Sequence, residues 1–527
     1  MAEPLASDFP RVMSNTRADA IASLENWAAR APLVIVAYFA IQLCVRLVIS
    51  SNLEVDDAEM VGQIGWALGY PNSHAPLYHW IVRICYDLFG YWPAATVVPK
   101  YTLLTIGFLL IYDVARRATT SAVGGAVAVV FLFFIPVVFG KTLGKLTDSI
   151  LGVAATAGTL HATVLVLSRP RASAFGWLGL ALAIGLLAKY NFVFVIIALA
   201  GAVLCVRDVR RIFCRRATLL ALVIPLVLSL PHWLWVRSHL GLAMEHFYVL
   251  RVPGRPLGMH LSAISVWTGL GSLAVIVLLS AAPMSLLCGG AMSIFDRDTS
   301  IAHRPEPVLA RQMRQLLGWI LVTELAVFIV AVIAGKFYQV HERYLVVLLP
   351  PLPLWLALQS RVAERTRAAA SILGAGVVLA LVMIVVRPIS ILTSKSRLAF
   401  PYAEMAREIT DVVQPPAELI SDPPEHAVNI AIHVPGLVSV DTPTAAQLLV
   451  IGNDPAAVVS LTKTIEDNYQ AAGQIRLIEA PWRWHPRQEA QLAVQLWKRR
   501  SQRGKTPVAP SVLTKAAVST ARGRLSS

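Results

Sequence analysis

Apolar runs of membrane-crossing length recur along this chain, and nothing else in the sequence constrains the fold as strongly. Stretches of about 18 or more nearly uncharged residues follow one another between residues 32 and 386, each long enough to cross the hydrocarbon of a bilayer as a helix. In hydrocarbon the backbone must satisfy its own hydrogen bonds, which leaves helices or a closed barrel. Runs this long and unbroken predict helices. Eleven spans are expected, near 32–50, 98–115, 120–139, 149–167, 174–188, 190–206, 217–236, 263–288, 315–334, 345–359 and 368–386. A soluble chain of 527 residues would suggest about three domains, but 56% apolar and 15% charged residues argue for a polytopic membrane protein instead.

The charges that remain are not scattered. The formal net charge is +15, and Arg and Lys collect in short loops between apolar runs: Arg116-Arg117, SRPRAS, RDVRRIFCRR, the loop at 296–314 and RVAERTR. That placement follows the positive-inside rule, so nucleic-acid binding is not implied. With residues 1–31 in the cytoplasm, the loop at 51–97, the KLTDS loop, the Lys189 turn, the loop at 237–262 and GKFYQVHERY fall on the outer face. The region after about 388 goes there too. The polar first thirty or so residues are unlike a cleavable signal peptide, so the first apolar run reads as a retained helix. The five cysteines form no CxxC and no metal-ligand spacing.

Two regions depart from the span pattern. In the first external loop, DAEMVGQIGWALG and PLYHWIVRICYDLFG carry apolar residues near helical spacing but are too short or too polar to span. They predict amphipathic helices at the membrane interface. Residues 391–485 predict a small soluble α/β domain, with strands at ELISD, NIAIHV, LVSVD, QLLVIGN and QIRLIEAP and helices at 401–413 and 454–469. The domain has no glycine-rich phosphate loop, and Asp454 reads as a helix N-cap. Residues 486–527 read as a basic, disordered tail.

Polar residues with chemical capacity gather on the outer face. They are Asp56, Asp57 and Glu59; His74 and His79; Lys141, Lys145 and Asp148; Lys189 and Tyr190; His232; His246, Arg251 and Arg255; and Lys336, Tyr338, His341, Glu342, Arg343 and Tyr344. Carboxylates can deprotonate an acceptor hydroxyl, and cations can hold a phosphate and stabilise it as it leaves. Glycosyl transfer from a lipid-linked phosphate needs both. Each residue also has a plainer role. Asp56 or Asp57 would serve as an N-cap, and Glu59 would favour a helix dipole. His74 fits a structural turn, and Asp148 would cap the fourth span. Lys189 and Arg343 would snorkel to the interface. Lys189 is the hardest to treat this way, because it interrupts GLLAKYNFVFVII, where a charge is costly.

The stretch VDDAEMVGQIGWALGYPNSHAPLYHWIVRICYDLFG resembles the first external loop of bacterial family 39-type glycosyltransferases. These belong to the GT-C class, with the protein O-mannosyltransferases and the lipid A aminoarabinose transferases. The elements that match are Asp56-Asp57, Gly69-Tyr70, Ala75-Pro76-Leu77 and Trp80. GLLAKYNFVF (185–194) and HERYLVVLLPPLPLWLAL (341–358) are similar to two further family segments, and the order matches over residues 30–390. Ala75 stands where the family has the first of two prolines. The resemblance implies a GT-C fold and an inverting transferase that uses a polyprenyl-phosphate sugar. It implies Asp56 as base or acceptor-orienting carboxylate, and Lys189 and Arg343 for the donor phosphate. Beside them, Asp57 is expected as a second catalytic carboxylate, Glu59 and His74 as acceptor or supporting residues, and Tyr190, Tyr344 and His341 near the donor phosphate. Some relatives bind a divalent metal near the external carboxylates, and Asp148 is the residue placed to be its ligand.

The expected activity is transfer of a sugar from a polyprenyl-phosphate donor to an extracytoplasmic acceptor: lipopolysaccharide or lipid A, another glycan, a lipid or a protein. The expected location is the bacterial inner membrane, with the active site on the periplasmic face. The rival is a transporter or flippase of a lipid-linked sugar. It should show internal repeats with matched helix breaks, and none is visible in the sequence. A non-catalytic scaffold would leave Lys189 and the acidic cluster without a role.

Overall fold

The computed structural model describes residues 9–70, 74–141, 146–242, 263–295, 305–334 and 340–500. Helices α1 (Phe9–Ala28) and α2 (Ala31–Ile49) are followed by the short α3 (Val55–Gly62), α4 (Pro76–Phe89), α5 (Trp92–Thr119) and α6 (Ala122–Phe133). A π-helical turn at Val137–Lys141 precedes α7 (Thr147–Ser168), α8 (Ala172–Ala188), α9 (Phe192–Cys205), α10 (Arg207–Phe213) and α11 (Thr218–Ser238). Then come α12 (Ala263–Phe295), α13 (Val308–Ile333), the single turn α14 (Glu342–Leu345), α15 (Pro351–Ser360) and α16 (Thr366–Thr393). The remainder is mixed: α17 (Tyr402–Val412), β1 (Ala417–Asp422), α18 (Glu425–Ala431), β2 (Leu437–Ser439), β3 (Gln447–Gly452), α19 (Pro455–Thr462), β4 (Tyr469–Ala471), β5 (Arg476–Trp482) and β6 (His485–Arg499).

Among the described residues, seven helical stretches are long and apolar enough to cross a membrane, and α9 with α10, bent by 111°, makes an eighth if taken together. Every expected span contains helix, but not every one is a full crossing by itself. Helices α6 and α8 are shorter apolar helices. The span expected at 345–359 is broken into α14, a 3₁₀ turn at Val346–Leu348 and α15. Pro350, Pro351 and Pro353 explain the break, since each lacks the N–H that would continue the helical ladder.

The described residues group into two compact units. The first is drawn from Met1–Leu43, Leu68–Tyr78 and Lys100–Val385, the second from Cys44–Ala67, His79–Pro99 and Val386–Ser527. In the first unit the helices approach closely through small residues, as membrane helices do in the absence of a hydrophobic force between them. A Cβ at Gly179 of α8 would meet the Leu220 carbonyl oxygen of α11 at 2.6 Å. One at Gly201 of α9 would meet Thr323 of α13 at 3.1 Å.

The second unit holds a six-stranded sheet of order β2-β1-β3-β6-β4, with β5 pairing the free length of β6. Strands β1, β2 and β3 run parallel, with Leu419 opposite Ser439 and Leu449; β6 runs antiparallel to β3, β4 and β5. Its core includes Leu419, Leu449, Ile451, Leu492 and Val494 on one side, with Tyr402, Met405 and Ile409 of α17 packed on them. Asp454 caps α19 as expected, accepting from the Ala457 N–H at 2.8 Å.

Three expectations for this region are corrected. NIAIHV, expected as a strand, lies in and just after α18. Its apolar residues serve two partners, with Ile430 in the sheet core and Ile432 against the cluster formed with α3, which a helix allows and a strand edge would not. The segment DAEMVGQIGWALG is helical only to Gly62, and Gly65 and Gly69 lie in the non-helical remainder. The sheet also runs past residue 485: β6 occupies the start of the expected tail, because alternating residues of RQEAQLAVQLWKRR pair on both edges. Residues 501–527 lie outside the described residues. The second amphipathic helix forms as expected: α4 leaves Ile84, Leu88 and Phe89 exposed.

Candidate active site

The acidic cluster lies in the second unit, on α3. Glu54 is the N-cap residue and makes no side-chain capping bond; Asp56 and Asp57 fall in the first turn. Neither aspartate is therefore the cap. Asp57 is fully buried, while Asp56 and Glu59 are half-buried. The approach to α3 is pinned by buried amides. Leu53 donates its N–H to the Asn429 Oδ1 at 2.8 Å, and Asn429 Nδ2 donates to the Leu53 carbonyl at 3.3 Å. Asn52 Nδ2 donates to the Phe400 carbonyl at 2.7 Å, and Arg46 donates to the carbonyls of Ser50 and Asn52 at 2.8 and 2.6 Å.

The basic cluster lies in the first unit. Lys189 is the C-cap residue of α8, in extended conformation, where the chain turns into α9. Its Nζ donates to Asp148 Oδ1 at 3.2 Å and also bonds Ser149 Oγ. His74 Nδ1 stands 3.5 Å from Asp148 Oδ2. His74 and Lys189 also form an isolated backbone bridge, and the Tyr70 N–H donates to the His74 carbonyl at 3.3 Å. Part of the external loop is thus stitched to the α8–α9 turn. Asp148 lies in the first turn of α7, whose N-cap residue is Leu146, so the aspartate is a counter-ion here and not a cap.

The same turn gathers further residues. Asn191 Nδ2 donates to the Tyr344 carbonyl at 2.8 Å, joining the Lys189 segment to α14. Arg343 is exposed, with its guanidinium 5.3 Å over the Tyr344 ring, and His341 stands 6.0 Å from that ring. Tyr190 stacks on His232 at 5.5 Å, and Trp233 and Trp235 surround the imidazole. His232 Nδ1 donates to the Leu68 carbonyl at 2.6 Å. Its Nε2 and the Tyr190 hydroxyl are buried with no hydrogen-bond partner among the described residues.

Lys189, Tyr190, Tyr344, His74 and Asp148 therefore belong to one unit, and Asp56, Asp57 and Glu59 to the other. The side chain of Lys141 and residues Lys145, His246, Arg251, Arg255, Lys336 and Tyr338 lie outside the described residues. Ser149, Asn191, Asn52 and Asn429 were not among the expected residues. Asn191 adjoins Lys189-Tyr190 in sequence, which is a usable signal. Asn429 sits in an apolar segment far along the chain and gives none. The expected metal at Asp148 does not fit this set. Both oxygens of Asp148 face Lys189 and His74, so an ammonium group already occupies the side a cation would need. Among the described residues, no group of three or more His, Cys, Asp or Glu could hold a metal ion.

Comparison with known proteins narrows the reading. The family model described as dolichyl-phosphate-mannose-protein mannosyltransferase matches residues 73–235. The lipopolysaccharide core galacturonosyltransferase RgtA of Rhizobium johnstonii is 27% identical over 402 residues, covering 74% of this chain and 78% of the relative. RgtB of the same organism is 27% identical over 427 residues, covering 78% and 83%. The crystal structure of ArnT from Cupriavidus metallidurans bound to undecaprenyl phosphate aligns with a TM-score of 0.55 at 13% identity, covering 88% of this chain and 97% of that one. The likeness of fold is to a GT-C transferase, and the relatives by sequence are glycosyltransferases, so the flippase reading is not favoured. The chain is a polytopic membrane glycosyltransferase with a GT-C fold, similar to the family 39 enzymes.

Proposed function

We propose that the enzyme moves a sugar from a polyprenyl-phosphate donor to a lipopolysaccharide-type glycolipid on the periplasmic face of the bacterial inner membrane. The observation that carries this reading is Lys189, a cation at a helix break held by Asp148 and Ser149, with His74 against the same carboxylate. An ammonium has three N–H groups, and the bonds to Asp148 and Ser149 use two of them. The third has no partner among the described residues and is available to a phosphate oxygen. The names of the two Rhizobium relatives point to a lipopolysaccharide core acceptor and a galacturonosyl group as the first pair to try.

In this mechanism the acceptor hydroxyl attacks the anomeric carbon as the bond to the donor phosphate breaks, with inversion. Asp56 takes the hydroxyl proton, with Asp57 and Glu59 as supporting or acceptor-contacting carboxylates. Lys189 and Arg343 stabilise the polyprenyl phosphate as it leaves, and Tyr190, Tyr344 and His341 line the same region. His74 orients Asp148. The unpartnered Tyr190 hydroxyl and His232 Nε2 make a donor and an acceptor, the complement of a sugar hydroxyl.

The test is Asp56→Asn in proteoliposomes supplied with radiolabelled polyprenyl-phosphate sugar and lipopolysaccharide core. Loss of a general base should slow transfer by about 10²- to 10⁴-fold. A variant that keeps the wild-type rate sinks the assignment of Asp56.

A further inference from the structure

Helix α3 has only eight residues and its N-cap residue makes no side-chain capping bond. A helix that short does not hold itself in water, so its geometry must come from whatever it packs on. That support is α18 of the C-terminal sheet domain. Leu53, Ala58 and Val61 form a small core with Val428. A Cβ at Gly62 would stand 3.4 Å from the Val428 side chain.

Asn429 adds hydrogen bonds to this contact. Asn429 is fully buried, and its carboxamide takes both backbone groups of Leu53, accepting from the N–H at 2.8 Å and donating to the carbonyl at 3.3 Å. Its Nδ2 also bonds the Glu425 carbonyl at 3.0 Å, which fixes the amide within its own helix. A side chain that matches a donor and an acceptor on one residue acts like a strand edge and sets both the position and the direction of the chain there. Leu53 lies three residues before Asp56. Asn52, beside it, is tied by its own carboxamide to the Phe400 and Arg397 carbonyls at 2.7 and 3.1 Å.

We infer that Asn429 is a positioning residue for glycosyl transfer: it fixes the start of α3 and so the place of the Asp56 carboxylate. The inference rests on the reading of Asp56 as the base. It gives the C-terminal sheet domain a part in the chemistry, as the mount of the acidic helix. A base displaced by a fraction of an ångström still titrates and still meets substrate, but it attains the reactive geometry less often. The loss therefore falls on kcat.

The experiment compares Asn429→Ala, Asn52→Ala and Asp56→Asn, singly and combined, by single-turnover transfer from radiolabelled polyprenyl-phosphate galacturonic acid to lipopolysaccharide core. Size-exclusion profiles in detergent report whether each variant is folded. Asn429→Ala should lower kcat roughly 10- to 100-fold, with the KM values for donor and acceptor within about twofold. In the Asp56→Asn background the same change should have little further effect, because the group it positions is gone. Asn52→Ala, which loosens the same segment from the other side, should show the same pattern and serves if Asn429→Ala does not fold. Equal losses in both backgrounds, a raised KM with unchanged kcat, or no loss at all overturns the positioning role. Full activity of Asp56→Asn overturns the base assignment instead, so the two failures are told apart.

Discussion

Lys189 shows how a costly residue is made tolerable. An ammonium at the end of two membrane helices loses hydration, and Asp148 and Ser149 replace it with fixed oxygens. The pair is nearly neutral as a whole, so whatever it holds is recognised by direction and hydrogen bonding more than by net charge. His426 in the sheet domain is the opposite case, a buried imidazole kept uncharged. Burial first, then the charge of nearby Arg397, lower it from 6.5 to about 4, while Tyr402 and Asn453 hold its two nitrogens at 2.8 and 2.7 Å. Between those two values the unfolded chain binds the proton and the folded domain does not. The resulting stability is whole above pH 6.5 and is lost as pH falls toward 4, on the order of 3 kcal/mol. His433 is lowered by burial in the same sense. Thermal unfolding followed from pH 7.5 to 4.5 should show this fall, and His426→Phe should flatten it.

At the scale of elements, the first external loop works by close approach. Gly69 follows the carbonyl that accepts from His232, and a Cβ at Gly69 would overlap the Trp235 ring of α11. Gly65, four residues earlier, has nothing within 4 Å of its Cβ position. Gly69→Ala should therefore destabilise the protein by about 1–3 kcal/mol as the ring or the loop is forced aside. Gly65→Ala should stay within about 0.5 kcal/mol. Melting midpoints of the two variants in one detergent decide the matter, and equal midpoints would remove the steric account. Gly69 is thus what lets this part of the loop lie against α11. Helical periodicity alone reads the stretch as a longer helix.

Orientation belongs to the molecule as a whole. The Arg-rich loop around Cys214 is assigned to the cytoplasm and the sheet domain to the periplasm, and Cys214 is exposed. A membrane-impermeant maleimide should leave Cys214 unmodified in intact spheroplasts and label it after permeabilisation. A cysteine placed at Gly473, where a Cβ meets nothing within 4 Å, should label in both. Labelling of Cys214 from outside would reverse the topology and the proposed face of the active site.

The sequence by itself determined the membrane class and where the apolar helices lie, and it nominated residues able to do chemistry, because transfer into hydrocarbon depends on composition over some twenty residues and a stranded charge is visible in one dimension. It also carried the resemblance at the Asp56 loop and the Lys189 turn. It misread NIAIHV, whose apolar residues could serve a helix or a strand equally well, and the start of the tail, where basic residues read as disorder but the strand pairs with partners distant in the chain. Tertiary structure alone decided that Asp148 and Ser149 hold Lys189, and that Asn429 holds Leu53 from 376 positions away. Those partnerships are hydrogen bonds between residues far apart in the chain, and no local pattern encodes which buried amide will face which backbone.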